Sequence, residues 1–288
     1  MPRTPANGIE IEYETFGDPG DPPLLLVMGL GGQLIAWDTE ICEQFAERGF
    51  YVIRYDNRDV GLSSDFEHAP TPDLMALIGG DGATASYRVS DMAADAAGLL
   101  DALGIPAAHV VGVSMGGMII QQLVIDHPDR VLTLCSIMST TGDPTVGQPS
   151  QAALDVLLHV PPSDRPGYLD HEVTTWRVIS SPGFPFDEER IRSRAGAAYD
   201  RRFLPSGVGR QLAAIIASPD RTAGLGAVRV PSLVIHGDGD GLVDPSGGRA
   251  TAAAIPGAEL LMIPGMGHDL PPQLWDTVVD AIVKHTGR

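Results

Sequence analysis

Cysteine is almost missing: Cys42 and Cys135 are the only two in 288 residues. They lie far apart in apolar stretches, so a disulfide framework is excluded and two buried free thiols are expected. Long apolar runs are absent too. Stretches such as Leu24–Met28 fall well short of the ~20 residues a spanning helix needs. Met1–Gly8 holds no apolar core of a secretory signal, so a soluble, cytoplasmic chain is expected. Positive charge is scarce, with 19 Lys+Arg against 37 Asp+Glu and a net charge of −18. That field disfavours nucleic acid and anionic membrane surfaces and should slow the approach of anionic substrates. Internal repeats and low-complexity segments are also lacking. A small molecule is the expected partner, and monomer and homodimer both stay open.

What is present is a regular alternation. Ile9–Tyr13 alternates like a half-exposed edge strand, and Leu24–Met28 is a buried strand ending in Gly29-Leu30-Gly31-Gly32. Trp37–Arg48 has helical spacing closed by Gly49, and strand Tyr51–Tyr55 runs into the polar loop Asp56–Gly61. A helix over Val89–Leu103, capped by Ser90 or Asp91, precedes strand His109–Val113, helix Met115–His127 and strand Val131–Met138. The pattern resumes with Ser232–Gly237 (strand), Ser246–Ile255 (helix), Glu259–Ile263 (strand) and Leu270–His285 (helix). Such alternation predicts right-handed βαβ crossovers and a doubly wound parallel sheet. From Ser139 to about Ala227 the chain is proline-dotted and helical, an insertion that interrupts the sheet.

The most informative stretch is Gly112-Val113-Ser114-Met115-Gly116, between a β-branched strand and a helix. A serine at that junction sits on a strained turn that lifts its hydroxyl clear of the backbone. Gly112 and Gly116 are required because a Cβ would collide with the tightly turned chain. A serine hydroxyl needs a base to take its proton and a third group to orient the base. Strand Ser232–Gly237 delivers Asp238, Asp240 and Asp244 to the carboxyl edge of the sheet, where open α/β sheets place their sites. Asp240 is favoured as the acid; Asp238 suits loop amides, and Asp244 suits a helix cap. Of eight histidines, only His268 is presented by a glycine loop directly after a late strand. His236 reads as a packed core histidine, and His127 suits a helix end. The developing oxyanion needs preorganised N–H donors; the amides of Met115 and Leu30 are the candidates.

The chain resembles the α/β-hydrolases over essentially its whole length, and within them it is similar to the aclacinomycin methylesterase-like esterases. The residues carrying this are Leu25–Gly29, Arg54–Ser63, Gly112–Gly117 and Ile263–His268. The resemblance implies a mostly parallel eight-stranded sheet flanked by helices, with a helical cap inserted after the sixth strand. The core would be residues 1–138 and 228–288 and the cap residues 139–227. It places the triad acid on Asp240 and implies no metal or organic cofactor. Many relatives carry His-Gly where this chain has Met28-Gly29, which bears on how that loop is braced. The loop around Arg58 is expected to support the elbow. Trp176, Phe184 and Phe186 could roof a substrate, or with Tyr199 and Phe203 form the cap's own core. The expected activity is hydrolysis of an uncharged, partly hydrophobic carboxylic ester through an acyl-enzyme, falling at acid pH as the imidazole base takes up a proton. Lactone opening and cofactor-free perhydrolysis use the same triad; a slowly turning small-molecule receptor is the remaining alternative.

Overall fold

Strands with apolar side chains on both faces need cover on both faces, and the computed structural model, which describes residues 1–79 and 84–288, provides it. Eight strands form one sheet in the order β1-β2-β4-β3-β5-β6-β7-β8. They are β1 (Arg3–Ala6), β2 (Ile9–Phe16), β3 (Pro23–Val27), β4 (Tyr51–Tyr55), β5 (Ala108–Val113), β6 (Val131–Ile137), β7 (Ser232–Gly237) and β8 (Glu259–Ile263). β1 runs antiparallel to β2 and β2 antiparallel to β4; all other pairs are parallel. The period of two sorts side chains between two cores. Leu25, Val27 and Val110 enter the one with Met92 and Ile119, while Leu24, Leu26 and Val111 enter the other with Phe45 and Val279.

The helices are α1 (Thr39–Glu47), α2 (Leu74–Ile78), α3 (Val89–Ala102), α4 (Met115–Asp126), α5 (Gln151–Leu157), α6 (Arg165–Ile179), α7 (Glu188–Arg201), α8 (Pro205–Ala217), α9 (Thr222–Leu225), α10 (Pro245–Ala254) and α11 (Trp275–His285). None of the described helices is long and apolar enough to cross a membrane. Between β6 and β7 lie α5 to α9 without a described strand.

Three details differ from expectation. Ile9–Tyr13 is not at the edge: β1 covers it, joined through Asn7 and Gly8 with φ of 47° and 80°. Two successive positive φ angles make the tight turn whose twist matches a hairpin. The helix expected from Trp37 starts at Thr39, after a short 3-10 turn over Leu34–Ala36. Neither Ser90 nor Asp91 caps α3; Arg88 does, and Asp91 one turn in accepts its backbone N–H at 2.7 Å. Both cysteines are buried and free. Burial pushes the Cys42 thiol up to about 12 and raises Cys135 as well, so neither is a ready thiolate.

The Asp56–Ser63 loop, expected to support the elbow, ties α3 and the inserted segment together. Arg58 bonds Asp95 of α3 at 2.6 Å. Two carboxylates of this loop, and one just after it, hold arginines of the inserted segment: Asp56 with Arg201 at 2.7 Å, Asp59 with Arg210 at 2.7 Å and Asp65 with Arg202 at 2.6 Å. The Asp59–Arg210 pair is almost wholly dry, its side chains 0% and 3% exposed, and Asp59 also accepts the Tyr87 hydroxyl at 2.7 Å. Removing one partner strands the other as a buried charge, so Arg210→Met should destabilise the protein by about 3–5 kcal/mol. Urea unfolding checks this; an unchanged midpoint would show that α8 is not latched through this pair.

Candidate active site

The strand-to-helix turn is as tight as its glycines suggest. Ser114 sits at φ 54°, ψ −120°, between β5 and α4, a strained conformation for a residue with a side chain. Its N–H is tied to Ile137 O at 2.9 Å and its carbonyl takes the Ser139 hydroxyl at 2.8 Å. A Cβ on Gly112 would strike the Gly116 carbonyl, and one on Gly116 would strike the carbonyl of Val27. These contacts hold the serine in its raised position.

His268 and Asp240 converge on it from the loops after β8 and β7. His268 Nε2 lies 2.9 Å from Ser114 Oγ, and His268 Nδ1 lies 2.8 Å from Asp240 Oδ2. A carboxylate only accepts, so the Nδ1–H donates to Asp240 and Nε2 is left to accept the serine proton. His268 and Asp240 are 6% and 4% exposed, so the relay is shielded from water. Its loop is fixed by the His268 N–H donating to Ile179 O of α6 at 2.8 Å and the Gly267 N–H donating to Ser181 Oγ at 2.9 Å.

The three competing aspartates separate cleanly. Asp238 accepts the Gly265 amide at 2.6 Å, and Asp244 caps α10 through the Ser246 amide at 2.9 Å. Asp240 alone reaches His268, while its Oδ1 takes the Leu242 and Val243 amides, each at 2.9 Å. Burial raises the Asp240 pKa, but the charge on His268, hydrogen bonds from His236 and His268 and the Val243 amide outweigh it. The carboxyl is held well below the usual carboxylate range. His236 is fully buried, as expected of a core histidine. Its Nε2 donates to Val243 O at 2.9 Å and lies 3.5 Å from Asp240 Oδ2. This brace of the acid went unnoticed in the sequence; the signal was its position four residues before Asp240.

The loop after β3 lies against Ser114, since a Cβ on Gly29 would come within 3.2 Å of Ser114 Cβ. Its bracing comes from Asp56 and Asn57 of the polar loop after β4 and from Gln211, which sequence reading did not single out. Asn57 donates to Met28 O at 2.9 Å, Asp56 accepts the Leu34 amide at 2.7 Å, and Gln211 of α8 accepts the Gly31 amide at 2.8 Å. Among the described residues the Leu30 and Met115 amides meet no acceptor, the condition an oxyanion donor must meet.

The candidate roof residues divide. Tyr199 and Phe203 pack with Tyr168 at centroid distances of 5.0–5.5 Å, a small core of the inserted helices. Trp176 donates to Glu172 at 3.1 Å. Phe184 and Phe186 line a small crevice of about 30 Å³ with Arg190 and Asp269; Ser114 does not line it. Phe186 lies under the Arg177 guanidinium, 4.6 Å from its ring centroid.

Residues 22–272 match the family described as alpha/beta hydrolase fold. The chain is 34% identical to rhodomycin D methylesterase DauP of Streptomyces sp. (strain C5), covering 95% of this chain and 93% of that protein. It is 33% identical, with the same coverage, to the rhodomycin D methylesterase DnrP of Streptomyces peucetius. The 2-hydroxy-6-oxo-6-phenylhexa-2,4-dienoate hydrolase of Rhodococcus sp. strain RHA1 shares the fold, at a TM-score of 0.78 and 24% identity over 99% of this chain and 98% of that one. With four motifs in order at the carboxyl edge of one sheet and relatives matched along nearly its full length, the chain belongs to the α/β hydrolase family.

Proposed function

We propose that the protein is a serine hydrolase of carboxylic esters, with Ser114 as nucleophile, His268 as base and Asp240 as the acid that orients it. The observation carrying this is the unbroken relay of 2.9 Å and 2.8 Å from Ser114 through His268 to Asp240. The similarity to two rhodomycin D methylesterases supports it. Ser114 Oγ attacks the ester carbonyl as His268 Nε2 takes its proton, and Asp240 stabilises the imidazolium. The Leu30 and Met115 amides receive the charge that develops on the carbonyl oxygen. His268 then protonates the leaving alcohol, and a water deprotonated by His268 releases the acid.

Residues 139–227 act in this reading as the cap over the site. The substrate is a partly hydrophobic small molecule and the setting is the cytoplasm, a reading supported by composition alone. A lactone is a cyclic ester and is open to the same attack. The test is a panel of 4-nitrophenyl esters of graded acyl length, a lactone, and an organic acid with peroxide. Ester turnover by the wild type that disappears in Ser114→Ala is expected. Turnover confined to the acid–peroxide pair, or equal in Ser114→Ala, would contradict the proposal.

A further inference from the structure

The inserted helices are not poor in cations. Helix α7 alone carries Arg190, Arg192, Arg194 and Arg201, and three of these have carboxylate partners. Arg190 bonds Asp38 at 2.5 Å, Arg192 bonds Asp170 at 2.8 Å and Arg201 bonds Asp56 at 2.7 Å. Arg194 has neither a hydrogen bond nor an ion pair to any described residue, and its guanidinium lies 5.3 Å from the Trp176 ring centroid.

Its position is fixed from both sides. Arg190, one turn earlier, reaches Asp38 on the core; the Ala198 carbonyl, one turn later, accepts Gln33 Nε2 at 2.7 Å. Side chains four apart share a helix face, so Arg194 faces the core beneath the cap, over the loop that starts beside Ser114. Its stacking partner Trp176 lies three residues before Ile179, whose carbonyl holds the His268 amide. The nearby carboxylates are engaged elsewhere: Glu172 with Trp176, Asp38 with Arg190, and Asp269 with the Ser181 amide and hydroxyl. Burial lowers the Arg194 pKa, and the residue keeps only part of its surface accessible. A cation withdrawn from water without a partner is costly. A guanidinium presents a planar fork matched to carboxylate oxygens and stacks on aromatic faces.

We propose that Arg194, with Trp176 behind it, is a carboxylate-binding subsite of this active site, so that the substrate is an ester that also carries an anionic acid group. This rests on the ester-hydrolase reading above and replaces the uncharged ester expected from composition. The negative net charge of the chain does not oppose it, because a localised cation at close range acts over shorter distances than the screened field of the surface.

The test compares mono-4-nitrophenyl glutarate with 4-nitrophenyl pentanoate, which share a leaving group and differ at the far end of the acyl chain. Wild type should show the higher kcat/KM on the glutarate half-ester. Arg194→Met should lower that value about 10–100-fold, mainly through KM, the loss expected for a charged hydrogen-bonded contact. It should change the pentanoate value less than about 3-fold, and Arg194→Lys should fall between on the half-ester. Equal losses on both esters in Arg194→Met, no loss on either, or a wild type that prefers pentanoate would each overturn the subsite. A wild type that cleaves neither ester overturns the ester-hydrolase reading and the subsite with it. Should Arg194→Met fail to fold, the wild-type preference and Arg194→Lys still decide.

Discussion

Ser114→Ala and His268→Ala are each expected to lower kcat by about 10⁴–10⁶-fold, with the double variant scarcely worse than either single one. Members of one relay act as a unit, so their losses do not add. The reason here is geometric: a single hydroxyl faces a single imidazole at 2.9 Å, with the ring itself buried. Activity left after either change would come from binding and the Leu30 and Met115 amides alone. Neither change should unfold the protein, because the turn is held by Gly112, Gly116 and the Ser139–Ser114 contact rather than by the hydroxyl. Steady-state kinetics with a reactive ester and a thermal melt check both halves. A loss below about 100-fold in Ser114→Ala would place the nucleophile elsewhere.

Asp240→Asn is expected to cost about 10³–10⁴-fold in kcat with little change in KM, through the tautomer of His268. An amide placed with its oxygen toward the Leu242 and Val243 N–H groups turns its NH₂ toward His268 Nδ1. The imidazole must then accept there and carry its proton on Nε2, where it can no longer take one from Ser114. The same substitution has a stability signature. The Asp240 pKa is depressed in the folded protein, so its contribution is present above an ordinary Asp value of ~3.9 and is lost as pH falls through the lower folded pKa. The destabilisation caused by Asp240→Asn should therefore be large at pH 7 and shrink at pH 2–3, where the unfolded wild type takes up a proton that the folded carboxylate does not. Urea midpoints at the two pH values check it; a gap that widens at acid pH would contradict the ionised role.

Much of this arrangement was legible in the chain because local pattern and global fold agree there. β3, β5 and β7 are apolar on both faces, each runs into a glycine-bearing turn, and Ser114, Asp240 and His268 follow strands at one edge. Asp240 could be separated from Asp238 and Asp244 because a short turn and two apolar residues let its carboxylate fold back toward the sheet. β1 was missed because Arg3–Ala6 is short, polar and proline-bearing; the Asn7-Gly8 turn was its only signal. The braces were missed for a different reason. Gln211 meets Gly31 across 180 residues, and no periodicity marks which glutamine of a helix will meet a loop amide. Arg194 was invisible on the same ground: among many arginines, only the folded chain shows which one its carboxylates leave unpaired.

The central claim is that one serine, at position 114, is made nucleophilic by its neighbours. Treating the protein with a fluorophosphonate and locating the adduct by peptide mass spectrometry tests this most directly. One adduct on Ser114 is expected, formed at least ~10³-fold more slowly in His268→Ala, where the base is gone. Labelling at another residue, or labelling of Ser114 at an unchanged rate without His268, would contradict it.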